Sequence, residues 1–352
     1  MKRIVFFAIV LAIFVGIWLH FQKISCKVVG LSTALGPIQS TLEAPFFSDT
    51  PKRSDSSLTC QYVPQNMQGV TQNSLIKYLQ QGFYDMAAIT FRQSEGIDIA
   101  IAGMDLPGLP ADLNSSRMLS KDFLSFLNEI FEEKFKSKII TTFSFGPLEL
   151  FCAKPVKNLA DLQGLKIRIT TQQGSSISKL LITLGAKPIS IDYGSTLNAI
   201  QDKVIDCGIS SYASAESAGW LKYLPYRMDL NMGNTISAYV INLKTWNALN
   251  SRQKIALKNS LTDLSDSMWD FSEKTNAQSL LPCSSNDFRC LERPKSITFN
   301  QKDLDRINQI SVDSILKPWL KNCDEMYFGC KSAWLNAAKT NLRLQNLNLS
   351  DL

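Results

Sequence analysis

The stretch VKNLADLQGLKIRIT (Val156 to Thr170) ends in an apolar run that reads as a buried strand, yet Arg168 stands near the centre of that run. A guanidinium is costly to bury alone, so it needs a solvated face, an acid of its own chain, or an anion from outside. Alternation places Lys166, Arg168 and Thr170 on one face and Ile167 and Ile169 on the other. Beyond it, SSISKLLITLGA reads as a helix, KPISI as a strand, STLNAIQDKV as a helix and DCGISSY as a strand. This alternation predicts an α/β fold with largely parallel sheets.

The same alternation extends upstream. After a Ser/Pro/Gly-containing lead from Leu31 to Ser57, LTCQYVPQN predicts a strand ending at a proline, and TQNSLIKYLQQGFYDMAAITF a helix, a glycine turn and a second strand. Lys121 to Phe135 carries Phe123, Phe126, Leu127, Ile130 and Phe131 at helical spacing. SKIITTFSFG and LELFCAKPV follow as strands. Downstream, Ser251 to Leu281 reads as one amphipathic helix of about eight turns, long enough to brace two lobes. A further helix is predicted around QKDLDRINQISVDSILKPWLKN.

Composition bounds the function. A 352-residue chain with 45% hydrophobic residues buries a real core in one large or two medium domains. A net charge of +6 without a Lys/Arg block or an aromatic-interleaved basic stripe argues against nucleic acid as a partner. The one histidine, His20, lies within the N-terminal apolar run, so a Ser-His-Asp or Cys-His nucleophile and a His-ligated metal are not expected in the body. No residue order marks a carboxylate pair, and the expectation is a protein without catalytic residues, cofactor or metal.

The first residues point to export. Lys2 and Arg3 precede an apolar run from Ile4 to Phe21, which fits a cleaved signal or a retained membrane anchor, with lipidation of Cys26 as a third and weaker alternative. The body is then periplasmic or otherwise extracytoplasmic, free or membrane-anchored. Cys283 with Cys290 and Cys323 with Cys330 form two local pairs that read as disulfide-closed loops in an oxidising space. Cys60, Cys152 and Cys207 sit in apolar strand-like runs and read as buried small hydrophobes.

The segment around Arg168 resembles the DctP-type substrate-binding proteins of TRAP transporters. The resemblance rests on Lys154 and Pro155, then Asp161, Gly164, Leu165, Lys166 and Arg168, then Gly185, Ala186 and Pro188, and then Leu197, Gln201 and Asp206. It implies a two-lobed clamshell of the periplasmic-binding-protein type, with crossing strands and a long brace helix. The expected divisions are 1–25 as signal or anchor, 26–145 as lobe I, 146–233 as lobe II, 234–282 as crossover strand and brace helix, and 283–352 as a C-terminal segment packing on the lobes.

The resemblance also implies a function: binding of a small organic carboxylate and its delivery to TRAP membrane subunits. Arg168 occupies the position that grips the ligand carboxylate in that family, and a planar fork of donors matches a carboxylate bidentately. Tyr193 matches an aromatic lining position, or else packs half-buried at a strand end. Ser210 stands where one branch has Asn, and either donates a hydroxyl to the ligand or ends a strand. Thr171 and Asn234 complete the set, Thr171 as a second donor or a turn residue, and Asn234 from the crossover strand. Leu148 stands where the sialic-acid branch has a second arginine, which predicts a monocarboxylate with a more apolar body. The alternative is a membrane-anchored sensing or structural protein on the same clamshell.

Overall fold

The computed structural model describes residues 24–49, 58–109, 112–281 and 293–341. The export-like run, His20 and the pair Cys283 and Cys290 lie outside the described residues. Among the described residues, no helix is long and apolar enough to cross a membrane.

Strands collect into two sheets. Lobe I holds β1 (Ile24–Gly30), β2 (Leu58–Pro64), β3 (Met86–Thr90), β4 (Ser137–Ser144) and β10 (Ile236–Asn242), in the spatial order β2-β1-β3-β10-β4. Lobe II holds β5 (Glu149–Cys152), β6 (Lys166–Ile169), β7 (Lys187–Ser190), β8 (Cys207–Ser210), β9 (Tyr226–Met228) and β11 (Lys295–Ile297), in the order β11-β9-β5-β8-β6-β7. β3 and β10 are buried at every position, the signature of strands covered on both faces. The two-lobed α/β clamshell expected from the sequence is the architecture observed.

Two expectations need correction. The sheets are mixed rather than largely parallel, because β10 runs antiparallel to β3 and β4, and β5 antiparallel to β8 and β9. These are the strands that arrive from the other lobe, and a chain returning through the same crossing must run against the strand that left. The cysteines are the second correction. Register sets Cys26 opposite Cys60 on β1 and β2, and Cys152 opposite Cys207 on β5 and β8, and both pairs are disulfides. Cys60, Cys152 and Cys207 are therefore cross-strand bridges rather than isolated small hydrophobes, and Cys26 is bridged rather than lipidated. Cys323 and Cys330 form the local disulfide expected.

β1 has no counterpart in the strands read from the sequence, since ISCKVVG begins only two residues beyond the apolar N-terminal run. The lead after it folds into short helical segments ending in the helix Ala44–Ser48, which buries Phe46 and Phe47. Within it, Glu43 is fully buried with no salt bridge among the described residues. Its carboxylate accepts hydrogen bonds from the Leu31 amide and from the hydroxyls of Tyr62 and Tyr239.

The brace helix runs from Ser251 to Leu280, about 45 Å at the usual rise per residue. An Asn250–Gln253 capping box opens it. Its buried Leu257, Leu261, Leu264, Ser265, Met268, Trp269 and Ser272 form one stripe. Trp269 and Ser272 donate to the carbonyls of Thr142 and Ser144 on β4. Near its far end, Ser279 accepts from Arg227 on β9, which is also paired with buried Glu149. One helix thus binds both lobes.

The two crossings lie side by side. Leu148 N donates to Gly233 O at 2.7 Å and Met232 N to Leu148 O at 3.1 Å. The returning segment is backbone-strained: Thr235 has a φ of 47°, in the left-handed region that a β-branched residue seldom enters. Gly233, at 111°, passes so close to the Arg92–Asp105 ion pair that a Cβ would lie 1.9 Å from Arg92 Nη2. The C-terminal helices pack on lobe I, where Trp319 and Trp334 donate to the carbonyls of Ile99 and Gly103.

Candidate functional site

Arg168 sits on β6 between β7 and β8, with Ile189 and Gly208 as its register partners. Gly208 leaves room beside it for the Trp220 ring, which a Cβ there would approach to 3.1 Å. The arginine is only 1% exposed. Its Nε donates to Ile191 O at 3.0 Å and its Nη1 to Ile209 O at 3.3 Å, while Nη2 has no partner among the described residues. The guanidinium carbon lies 5.2 Å from the Trp220 ring centre and 5.6 Å from that of Tyr193.

This is a cation held by carbonyl dipoles and aromatic faces instead of by an acid. Cation–π contact and two carbonyl bonds offset part of the desolvation penalty, but they supply no counter-charge. Burial pulls the Arg168 pKa down to about 9, with the fields of Tyr193 and Asp192 acting the other way. At neutral pH the group is still charged, and a carboxylate bound beside it would restore its ordinary range.

Arg168 lines a cavity of about 630 Å³ between the lobes. Tyr193 and Ser210 share that wall, so three of the five predicted site residues are brought together. Tyr193 donates its hydroxyl to Ser214 O, which fixes its ring beside the guanidinium. Burial raises the Tyr193 pKa well above the usual phenol range, so it remains a neutral donor. Leu148, at the position where a second cation was considered, lines the same cavity together with Phe145 and Ile209. Among the described residues, Asp192 is the only charged residue besides Arg168 that lines it.

The other two predicted residues are placed elsewhere, each by one step along the chain. Thr171 bonds Ser175 Oγ at 2.7 Å and lines a neighbouring cavity of about 410 Å³, while Thr170 faces the Arg168 cavity. Asn234 donates its amide to Ser116 Oγ and its backbone N–H to Asp105, stitching the crossing to lobe I, while Thr235 faces the cavity. The chain bends where β6 ends, and the returning crossing turns left-handed at Thr235, so in each case the neighbouring residue faces the cavity.

Lobe I contributes a wall that sequence reasoning missed. Gln65, Asn66, Gln72, Asn73 and Gln93 all line the cavity, and Gln172 joins them from lobe II. Part of this set is internally satisfied: Gln72 donates to Gln65 Oε1 and accepts from Thr90 N. Asn73 Oδ1 is buried with no partner among the described residues. The available signal was the clustering of amides at strand and helix ends in VPQN, TQN and TTQQ. The site therefore joins a buried cation and apolar contacts on one side to neutral donors and acceptors on the other. It suits a small anion with a polar, uncharged body.

Residues 33–302 match the family described as bacterial extracellular solute-binding protein, family 7, or DctP. The chain belongs to this family. A DctP-family reading also agrees with the solved structures that it resembles. An extracytoplasmic solute receptor of Bordetella pertussis binding pyroglutamic acid superposes with a TM-score of 0.77 at 16% identity, over 90% of this chain and 100% of that one. A TRAP periplasmic solute-binding protein of Desulfovibrio salexigens with bound orotic acid gives 0.77 at 15% identity, over 91% and 100%. Among curated proteins, a solute-binding protein of Sulfitobacter sp. (strain NAS-14.1) is 31% identical over 148 residues, 42% of this chain and 44% of that relative's length.

Proposed function

We propose that this chain is the extracytoplasmic receptor of a TRAP transporter, binding a small organic monocarboxylate through Arg168 and delivering it to membrane subunits. The observation that carries this reading is the buried Arg168, whose Nη2 has no partner among the described residues at the wall of an interlobe cavity. A charge buried without a counter-ion is expensive to maintain, and a ligand carboxylate is the group whose arrival would compensate it. The single cation favours one carboxylate over two. The amide wall of lobe I favours a body with neutral hydrogen-bonding groups, as in the pyroglutamic acid bound by a structural relative.

The test is native mass spectrometry of the exported domain with its disulfides intact, followed by denaturation and identification of what is released. One stoichiometric monocarboxylate, lost in Arg168→Ala, is the expected result. A ligand with no acidic group, or one retained by Arg168→Ala, would overturn the assignment.

A further inference from the structure

Glu95 belongs to lobe I, just after the short helix Phe91–Ser94 that follows β3. Its hydrogen bonds among the described residues all go to lobe II: Oε1 accepts from Ser176 N at 2.8 Å and Oε2 from Ser176 Oγ at 2.6 Å. Ser176 is the first residue of the helix Ser176–Thr183. That helix has its own cap, Ser175, whose hydroxyl accepts from Ser178 N and leaves the Ser176 amide unsatisfied within its own lobe. A carboxylate at a helix N-terminus gains from charge-assisted bonds and from the dipole, both strengthened when partly buried.

The position of this contact links it to ligand binding. Ser176 stands at the end of the connection that starts at Arg168, and Thr170 and Gln172 of that connection line the ligand cavity. Glu95 and Ser176 do not line that cavity. On the other side of the cleft the lobes meet through close packing, where Gly36 lies so near Ser217 that a Cβ would approach its Oγ to 2.0 Å. That second contact is steric and offers no charge.

We propose that Glu95 is the latch of the clamshell, a positioning residue that sets the closed population, and with it ligand retention, by capping the lobe II helix from lobe I. This rests on the receptor reading only for its consequence, retention; the latch itself is a contact between residues of the two lobes. The experiment measures the distance between spin labels carried on non-natural side chains at the exposed Lys77 of lobe I and Lys187 of lobe II, without ligand and then with pyroglutamate as the probe.

Without ligand, the closed fraction is expected to fall at least about threefold in Glu95→Ala, with an intermediate loss in Glu95→Gln, which keeps one acceptor oxygen. The melting temperature should stay near that of the parent, since the contact lies between lobes and not within a core. Pyroglutamate dissociation should quicken by a similar factor. An unchanged ligand-free distance distribution in Glu95→Ala overturns the latch, whatever binds. A shifted distribution with no binding of pyroglutamate or other carboxylates upholds the latch and overturns the receptor reading instead.

Discussion

The guanidinium of Arg168 lies 5.2 Å from the centre of the Trp220 ring, inside a wall that provides two carbonyl acceptors but, among the described residues, no salt bridge to a carboxylate. The site is thus built around an uncompensated charge. Replacing even a paired buried charge by apolar side chains of similar volume is often neutral or stabilising, and a buried cation with no salt bridge has less to lose. Arg168→Met should therefore raise the unfolding free energy of the ligand-free protein while abolishing carboxylate binding. Denaturant titration and calorimetry check both halves, and a destabilised Arg168→Met would show that the cation is held by more than these contacts.

Arg168→Lys tests geometry apart from charge. A point-charge ammonium cannot reproduce the planar fork, and its stem is too short to keep the bonds to Ile191 O and Ile209 O. Ligand affinity is expected to drop about a hundredfold, in line with the loss of a charge-assisted bidentate contact. Equal affinity in titration calorimetry would remove Arg168 from the site.

On the proposed function, Leu148 is expected to set how many carboxylates the cavity accepts. Leu148→Arg places a second cation on the same cavity and should move preference toward dicarboxylates by about tenfold or more, as expected of one added ion pair in a partly dry site. Competition binding with matched mono- and dicarboxylates reads the ratio directly.

Glu43 gives the fold a pH dependence. Burial raises its pKa from 4.5 to about 7, against the lowering effect of the bonds from Tyr62, Leu31 and Tyr239. The folded state then holds a proton that the unfolded state has released, so this contribution is fully present below pH 4.5 and is lost as pH rises toward 7. Its size is on the order of 3 kcal/mol by linkage. Glu43→Gln should flatten the stability profile across that window, as followed by denaturant unfolding at fixed temperature.

The Cys152–Cys207 bridge joins β5 to β8, two strands of the sheet that holds Arg168. Removing both sulfurs as Cys152→Ser with Cys207→Ser should destabilise the protein by about 2–4 kcal/mol. Non-reducing peptide mapping should find the two residues in one cross-linked fragment, and separate free thiols there would refute the pairing.

Much of this architecture was legible in the linear chain, because the features concerned are local. Periodicity located the brace helix to within a residue of Ser251–Leu280, and the alternation around LKIRIT identified an arginine in a buried strand. The Gly-Leu-Lys-x-Arg context carried the family resemblance through to the two-lobed fold. What spacing cannot encode is register between distant strands. Cys26 and Cys60 are 34 residues apart, Cys152 and Cys207 are 55 apart, and only pairing in the sheets joins these four cysteines into two bridges.

Facing was likewise decided in three dimensions. Thr170 lines the cavity on the face that alternation shares with Arg168, whereas Thr235 lines it where Asn234 is expected, since the left-handed turn at the crossing changes which neighbour points inward. The amide wall facing Arg168 and the Glu95–Ser176 contact arise only when the two lobes are brought together. The sequence by itself determined which residues carry charge and which segments become strand or helix, through propensity and pattern acting within a few residues. Tertiary structure alone decided which charge has no acidic partner among the described residues, because pairing depends on proximity between segments that the chain order keeps far apart.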